Sequence, residues 1–516
     1  MLSALIWIPI LGAIIIGLLP RKANPNSFRL GAIIAIALSL GWTIVIVTQF
    51  DITNPSLQLT ESLPWVDSIG LRYQLGVDGL SLPLLALNSL LTWIAIYSSD
   101  KSVSRPRFYY ILLLLLNTGV VGAFLADNLL LFFLFYELEL IPLYLLIAIW
   151  GGEKRAYAAT KFLIYTAISG ILILAAFLGL TWLSGSTNFD YQPLLSQALP
   201  IGQQLILLGA ILIGFGIKIP LVPFHTWLPD AHVEASTPVS VLLAGVLLKL
   251  GTYGILRFGL GLFPEAWTVL APILANWAVV SVLYGAFTAI AQTDMKKMVA
   301  YSSIAHMGYV LLAAASATSL SLLAAVFQMV SHGLISALLF LLVGVVYQKT
   351  GTRNLDTLRG LLNPERGLPL IGSLMVLGVM ASSGIPGMVG FISEFLVFRG
   401  SFAMFPTQTL LCMIGTGLTA VYFLLLVNRV FFGRLSTPAL NLPPVSWFDR
   451  TPAMILAAAI VIFGLQPAWM LRWSEVTLLQ RFGTESSVPK LSATTTFIPT
   501  PTAIVSRHST LNEYQR

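Results

Sequence analysis

Lys218 and Glu394 each stand beside a break in an apolar helical stretch. The breaks read Gly214-Phe-Gly-Ile-Lys218-Ile-Pro220 and Ser383-Gly-Ile-Pro386-Gly-Met-Val-Gly390, with Glu394 just beyond the second. A helix broken inside hydrocarbon frees backbone N–H and C=O groups, which is tolerable only where neighbouring protein or a water-filled cavity satisfies them. The chemistry such a place supports is the movement of charge. Glu137, Glu139, Lys249, His306 and His332 lie in stretches just as apolar. One embedded charge costs about 2.5–3.5 kcal/mol at mid-membrane on the insertion scale, so each must serve a use. Acid, base and imidazole alternate along the chain, and helices lying side by side would set them in a row parallel to the membrane, fit to pass protons. Burial disfavours charge, so a buried lysine yields its proton more readily and a buried glutamate keeps one.

Each residue also has a plainer reading. A fixed salt bridge between Lys218 and Glu137 would explain those two and leave the second lysine and both histidines unaccounted for. Glu137 and Glu139 point to nearly opposite sides of a helix, so only one can face the path. We assign the path to Glu137, and leave Glu139 as a second path residue or a contact to a partner. Lys249 could snorkel to an interface, and His306, following Tyr301, Ser302 and Ser303, could be a satisfied core histidine. His332 belongs to a polar stripe with Gln328 and Ser336, which favours a wetted helix face.

Other motifs carry less. Phe224-His-Thr-Trp-Leu-Pro-Asp-Ala-His-Val-Glu234 holds two histidines and two carboxylates, but their spacing fits no standard ligand set, so no metal is expected. A re-entrant turn is expected there, with Asp230 or Thr237 capping the next helix. Gly214-Phe-Gly lies in an apolar helix and is no dinucleotide fingerprint. Asp78, in Gly76-Val-Asp-Gly-Leu-Ser81, reads as a cap at the membrane interface.

The elements that position these residues are apolar runs of roughly 20 residues, the length that spans hydrocarbon. With 57% hydrophobic and 9% charged residues and a mean hydropathy of +0.87, the chain is an all-α polytopic membrane protein. Its runs predict about fourteen transmembrane helices. The third covers 77–97, and the seventh (201–229) and twelfth (368–403) are the broken ones. The first, at 2–20, lacks the basic leader and cleavage site of a signal peptide and is expected to stay as a helix.

Lysine and arginine set the orientation. Alternate loops carry Arg21, Lys22 and Arg29; Lys101, Arg105 and Arg107; Lys154, Arg155 and Lys161; Lys296 and Lys297; Lys349, Arg353, Arg359 and Arg366; and Arg429, Arg434 and Arg450. The other loops hold only Arg72, Arg257 and Arg399. The first set is therefore cytoplasmic or its equivalent, and both termini lie on the far side. The net charge of +7 is a topology signal, and its thin spread excludes a nucleic-acid surface.

Helices four to eight and nine to thirteen form two five-helix units, each with a broken fourth member. An odd count makes successive units enter from opposite sides, the inverted-repeat arrangement of many transporters. The predicted segments are 1–107, 108–258 (first repeat), 259–432 (second repeat), 433–471 (the fourteenth helix) and a polar tail at 472–516. Cys412 is the single cysteine, so the chain holds no iron–sulfur cluster alone, and redox chemistry would belong to partners.

Four motifs carry a resemblance. Gly76-Val-Asp-Gly-Leu-Ser-Leu-Pro83, Tyr136-Glu-Leu-Glu-Leu-Ile-Pro-Leu-Tyr144, Lys218-Ile-Pro-Leu-Val-Pro-Phe-His-Thr-Trp-Leu-Pro-Asp-Ala-His232 and Asp294-Met-Lys-Lys-Met-Val-Ala-Tyr-Ser-Ser-Ile-Ala-His-Met-Gly308 are similar to the antiporter-like subunits of respiratory complex I and its photosynthetic relatives. Within that family the chain resembles the chain 4 type, whose twelfth helix carries a glutamate where the chain 2 and chain 5 types carry lysine. The Glu-Leu-Glu doublet is similar to the cyanobacterial and plastid forms.

The resemblance implies a proton-pumping subunit of a type I NAD(P)H dehydrogenase in the thylakoid membrane. NAD(P)H or another reduced donor, iron–sulfur clusters and plastoquinone would be handled by other subunits, and no cofactor or metal by this chain. It implies Glu137 and Lys218 as a switchable pair, Lys249, His306 and His332 as the relay, and Glu394 as the exit-side acid. The implied partners are chain 5-type and chain 2-type neighbours, a peripheral redox arm, membrane lipid and, in a carbon-dioxide-uptake form of the complex, a CO2-hydration subunit. The same motifs occur in multi-chain sodium/proton antiporters, which is the alternative.

Overall fold

The structure is a computed structural model that describes residues 1–20, 24–435, 442 and 445–482. In hydrocarbon every backbone group must be satisfied within the chain, so apolar runs become helices. In order these are α1 (Ser3–Leu18), α2 (Pro25–Gln49), α3 (Leu82–Tyr97), α4 (Pro106–Leu125), α5 (Leu129–Leu138), α6 (Leu140–Trp150), α7 (Arg155–Leu183), the short α8 (Leu194–Gln197), α9 (Ile201–Lys218) and α10 (Trp227–Glu234). There follow α11 (Thr237–Leu242), α12 (Leu248–Gly254), α13 (Pro264–Ile290), α14 (Met295–Ser316), α15 (Ser319–Thr350), α16 (Pro369–Ser382), α17 (Val389–Phe402), α18 (Pro406–Val430), α19 (Trp447–Leu465) and α20 (Ala468–Phe482).

Among the described residues, eleven helices are long and apolar enough to cross a membrane, counting Leu129–Trp150 and Thr237–Leu260 as single spans. The first and third apolar stretches and the first half of the twelfth are shorter helices, α1, α3 and α16, so length alone does not return fourteen spans. Helices α14 and α15 run through the centre with nearly every residue buried. Peripheral helices such as α2 and α7 turn Leu38, Ile168, Ile171 and Trp182 outward, as lipid-facing surfaces do.

Four expectations need correction. The third helix begins at Leu82, not at 77, because residues before it pair as an antiparallel hairpin of β1 (Gln58–Val66) and β2 (Leu71–Val77). Asp78 Oδ1 accepts from the N–H groups of Leu80 and Ser81 at 3.1 Å, bracing the buried turn ahead of α3, and the helix start itself has no side-chain cap. The polar tail does not begin at 472, since α20 runs to Phe482 and packs on the Asp78 loop. There Ser474 Oγ donates to Gly79 O at 2.6 Å and Gly79 N donates to Thr477 Oγ1 at 3.1 Å. The rest of that tail lies outside the described residues. Neither Asp230 nor Thr237 caps the helix after the first break: Ser236 precedes α11, and Asp230 pairs with Lys161 of α7 at 2.8 Å.

Both predicted breaks are present. Helix α9 stops at Lys218, ahead of Pro220, and the chain turns before resuming as α10. Trp227 Nε1 donates to Ile217 O at 2.9 Å, satisfying a carbonyl that the break would orphan. The second break separates α16 from α17. Gly384 sits there at φ +70°, a left-handed conformation that costs a residue with a Cβ about 1–2 kcal/mol.

Candidate functional site

Lys218 ends α9 and is 2% exposed. Its ammonium pairs with Glu139, which is fully buried, and lies 4.8 Å from the Tyr136 ring centre. The expected Glu137–Lys218 pair is therefore not formed. The reason is local: the span Leu129–Trp150 is interrupted at Glu139, between α5 and α6, and this turn swings Glu139 inward. Glu137 faces the other way, half-buried against Gly170 of α7, where any Cβ would collide with its carboxylate. The reading that only one acid faces the lysine holds, with the two acids exchanged.

Lys218 packs beside Gly251, on the same turn of α12 that carries Lys249. Lys249 is fully buried, between two π-helical stretches, Leu243–Leu247 and Ile255–Leu260. Such turns widen the helix and often mark functional positions. Here Lys249 Nζ donates back to Ala244 O, inside the first of them, at 2.6 Å. On its other side Nζ meets Nδ1 of His332 at 2.7 Å. Snorkelling to an interface is thereby ruled out.

Beyond His332 the titratable groups follow one another without a direct hydrogen bond at the first step. The rings of His332 and His306 are 5.6 Å apart. His306 Nδ1 lies 3.4 Å from Glu394 Oε1, and its Nε2 lies 3.0 Å from Ser382 Oγ at the end of α16. Glu394 Oε2 accepts from Thr416 Oγ1 at 2.8 Å, and Tyr309 OH stands 3.2 Å from the same threonine. His332, His306, Gln328, Ser331, Ser382 and Glu394 also border a cavity of about 10 Å³, room for about one water. His332 Nε2 and Gln328 Oε1, both on that cavity, have no protein partner.

The structure thus joins five of the six expected residues, with Glu139 in the place of Glu137. It also brings in groups that sequence reasoning passed over. Ser382 and Thr416 are unremarkable in sequence, and only the second helix break hints at the first. Arg257, counted as a loop base, is 2% exposed and pairs with Asp78 at 2.5 Å. Lys296, likewise counted as a loop base, is 4% exposed. His225 and His232 stand apart, on Tyr284 and Phe340 respectively. No group of three histidine, cysteine or acidic residues suited to a metal occurs among the described residues.

A buried series of alternating acids, amines and imidazoles has groups that can hold and pass protons from one to the next. Comparison with known proteins places it. A family described as NADH:quinone oxidoreductase/Mrp antiporter, TM, matches residues 126–419. NAD(P)H-quinone oxidoreductase chain 4 2 of Microcystis aeruginosa is 44% identical over 442 residues, 84% of this chain and 79% of the relative. NAD(P)H-quinone oxidoreductase chain 4 1 of a Synechococcus strain is 43% identical over 492 residues, 92% of this chain and 91% of the relative.

Among solved structures, a chain of respiratory complex I from Thermus thermophilus aligns with a TM-score of 0.84 at 27% identity, covering 94% of this chain and all of that one. A chain of the Mrp complex from Dietzia sp. shares the fold, with a TM-score of 0.81 at 20% identity over 93% of this chain and 97% of that one. From these matches and the buried row together, the chain belongs to the NADH:quinone oxidoreductase/Mrp antiporter membrane family and, within it, to the NAD(P)H-quinone oxidoreductase chain 4 subunits.

Proposed function

We propose that this chain translocates protons as a membrane-arm subunit of an NAD(P)H-quinone oxidoreductase, driven by electron transfer in other subunits. The single observation that carries the reading is the series of buried titratable groups: the Glu139–Lys218 pair packed beside Gly251 on the turn that carries Lys249, then Lys249 on His332, His332 near His306, and His306 near Glu394. A charge change in a neighbouring subunit opens the Glu139–Lys218 pair. Lys218, no longer stabilised as an ammonium, gives its proton toward Lys249, and the Lys249–His332 contact hands it on to His306 and Glu394. The driving step is modest: one elementary charge crossing 100 mV is worth about 2.3 kcal/mol.

The neighbours in this reading are chain 5-type and chain 2-type antiporter-like subunits and a peripheral redox arm. That arm carries iron–sulfur clusters, takes electrons from NAD(P)H or another reduced donor, and passes them to plastoquinone. The membrane is the thylakoid, with both termini on the far side from the basic loops. A CO2-hydration subunit would join in a carbon-uptake form of the complex. The identities of 41–44% to chain 4 relatives favour this reading over an antiporter, since the likeness to the Mrp complex, at 20% identity, is one of fold.

The test is proton uptake by the purified complex in liposomes, with a reduced donor and a quinone analogue. Donor-dependent uptake is expected, unaffected by removal of sodium. Uptake that requires sodium, with no redox subunits copurifying, would establish the antiporter instead.

A further inference from the structure

The span Thr237–Leu260 carries Lys249 at its middle and Arg257 eight residues further on, about 12 Å along the axis at helical rise. Arg257 pairs with Asp78, which directly follows β2, so it stands between Lys249 and the end of the molecule built by the β1–β2 hairpin. The relay described above makes no use of it. Its side chain is 2% exposed, with Nη1 donating to Asp78 Oδ2 at 2.5 Å and Nε donating to Tyr253 OH at 3.1 Å. Tyr253 is four residues from Lys249 and four from Arg257, so amine, hydroxyl and guanidinium follow one another along the span. Tyr191 lies against the same arginine, its hydroxyl donating to Arg257 O at 3.0 Å and its ring centre 5.3 Å from the guanidinium carbon.

Aromatic rings fill the space beside this pair. Phe132 lies 5.6 Å from Tyr136, the ring next to Lys218, and 4.4 Å from Phe258, the residue after Arg257. Phe258 in turn meets Phe177 at 5.1 Å and Tyr191 at 6.1 Å. Phe132, Phe177 and Phe258 are all buried, and carbon surfaces packed this closely give a water nothing to bind. The Asp78 turn is itself clamped by α20 through the Gly79 contacts to Ser474 and Thr477.

Apolar residues of similar volume often stabilise a core as well as a buried ion pair does, so stability alone is a weak reason for Asp78 and Arg257. A proton path supplies a better one. Protons held on Lys218 and Lys249 must be kept from leaving at the hairpin end before they reach His332. Arginine does not release its proton in proteins, and a fixed guanidinium repels an arriving cation.

We infer that Arg257, held in place by Asp78 and backed by the Phe132–Phe258 rings, is a proton barrier between Lys249 and the hairpin end of the molecule. The inference rests on the proton-translocating reading above. With that end closed, a proton on Lys249 has His332 as its way forward. Asp78 is a positioning residue in this device, because it keeps the guanidinium where it blocks.

The experiment uses the intact complex in sealed liposomes without an electron donor, and an entrapped pH-sensitive dye follows the decay of an imposed pH difference. Arg257→Met should speed that decay at least tenfold, and should lower the protons taken up per quinone reduced once donor is added. Adding Lys249→Met to Arg257→Met should return the membrane to native tightness, because the leak runs through the Lys249 amine. Loosened packing alone would leak with or without that amine. Asp78→Asn combined with Arg257→Met leaves no stranded charge and should leak as Arg257→Met does.

Native tightness in an Arg257→Met complex that still pumps would overturn the barrier. A leak that persists after Lys249→Met is added would make Arg257 a packing residue and overturn it too. Should Arg257→Met fail to assemble, the combination with Asp78→Asn decides, and should that fail as well, Phe258→Leu, a smaller opening in the ring layer, decides by the same decay. A wild-type complex that takes up no protons with donor present would overturn the parent reading, an outcome distinct from all of these.

Discussion

Lys249 and His332 share one proton position: Nζ and Nδ1 are 2.7 Å apart, with Ala244 O holding the amine from behind at 2.6 Å. The contact admits one proton between the two nitrogens, and the doubly charged state is excluded because two charged donors would face each other. A proton passed from Lys249 to His332 carries positive charge toward His306 and Glu394.

Replacing His332 by Gln keeps an acceptor for Lys249 but removes the ability to carry a proton. Proton uptake per quinone reduced should fall at least tenfold, equivalent to about 1.4 kcal/mol on the transfer barrier. Quinone reduction by the redox subunits should persist, and a pH-sensitive dye in sealed vesicles reads the difference. Uptake at the native ratio would remove His332 from the relay.

Glu139→Gln and Glu137→Gln separate the two acids. The first leaves the Lys218 ammonium buried without its partner, a loss of about 3–5 kcal/mol when such a pair is broken. It should lower the thermal stability of the complex as well as pumping. Glu137, half-buried on the far side of α5, should matter less to both. The reverse order, measured by thermal melting alongside vesicle uptake, would restore Glu137 as the partner of Lys218.

Gly390 lets the start of α17 approach the end of α16, where an added Cβ would collide with Ala381 O. Gly390→Val should therefore displace α17 and draw Glu394 away from His306, now 3.4 Å apart. Pumping should fall several-fold while the Lys218–Glu139 end stays intact. Carboxyl-stretch infrared difference spectra should lose the Glu394 band, and an unchanged spectrum would count against this coupling.

Asp78 and Arg257 pair at 2.5 Å with both side chains buried. Asp78→Asn should cost about 3–5 kcal/mol of stability by stranding the guanidinium. Combining it with Arg257→Met should recover most of that loss, because the uncompensated charge is gone. Melting temperatures of the single and double variants decide, and no recovery in the double variant would mean that the pair shapes the fold beyond its charges.

Much of this was legible in the sequence. The two breaks follow from Pro220 and from the Gly384–Pro386 segment, and the embedded charges declared themselves because hydrocarbon makes them expensive. The choice between Glu137 and Glu139 was not legible. It depends on a turn at Glu139, whose one signal in sequence is Pro142, a residue that cannot donate to the Leu138 carbonyl, and helical spacing sets the two acids on opposite sides without saying which one faces Lys218. Lys296 and Arg257 were misjudged for a related reason. A base near a helix end looks like a loop charge until tertiary packing closes over it, and sequence separations of 56 residues between Ser240 and Lys296 and 179 between Asp78 and Arg257 hide that packing.

The π-helical stretches on both sides of Lys249 have a mechanical consequence. Each adds slack to the winding of its helix, and letting a single residue of that slack pass along the rod turns the part beyond it by about 100°. Residues 248–254 lie between two such points, like a collar between two swivels. A pivot of that collar would swing the Lys249 amine away from His332, and it would have to slide past Ile219 and Phe215, which pack on Gly251 and Gly254. Hydrogen exchange at the amides of 243–260 that rises during turnover, with α14 unchanged, would register that pivot; uniform protection throughout would mean that the collar is fixed.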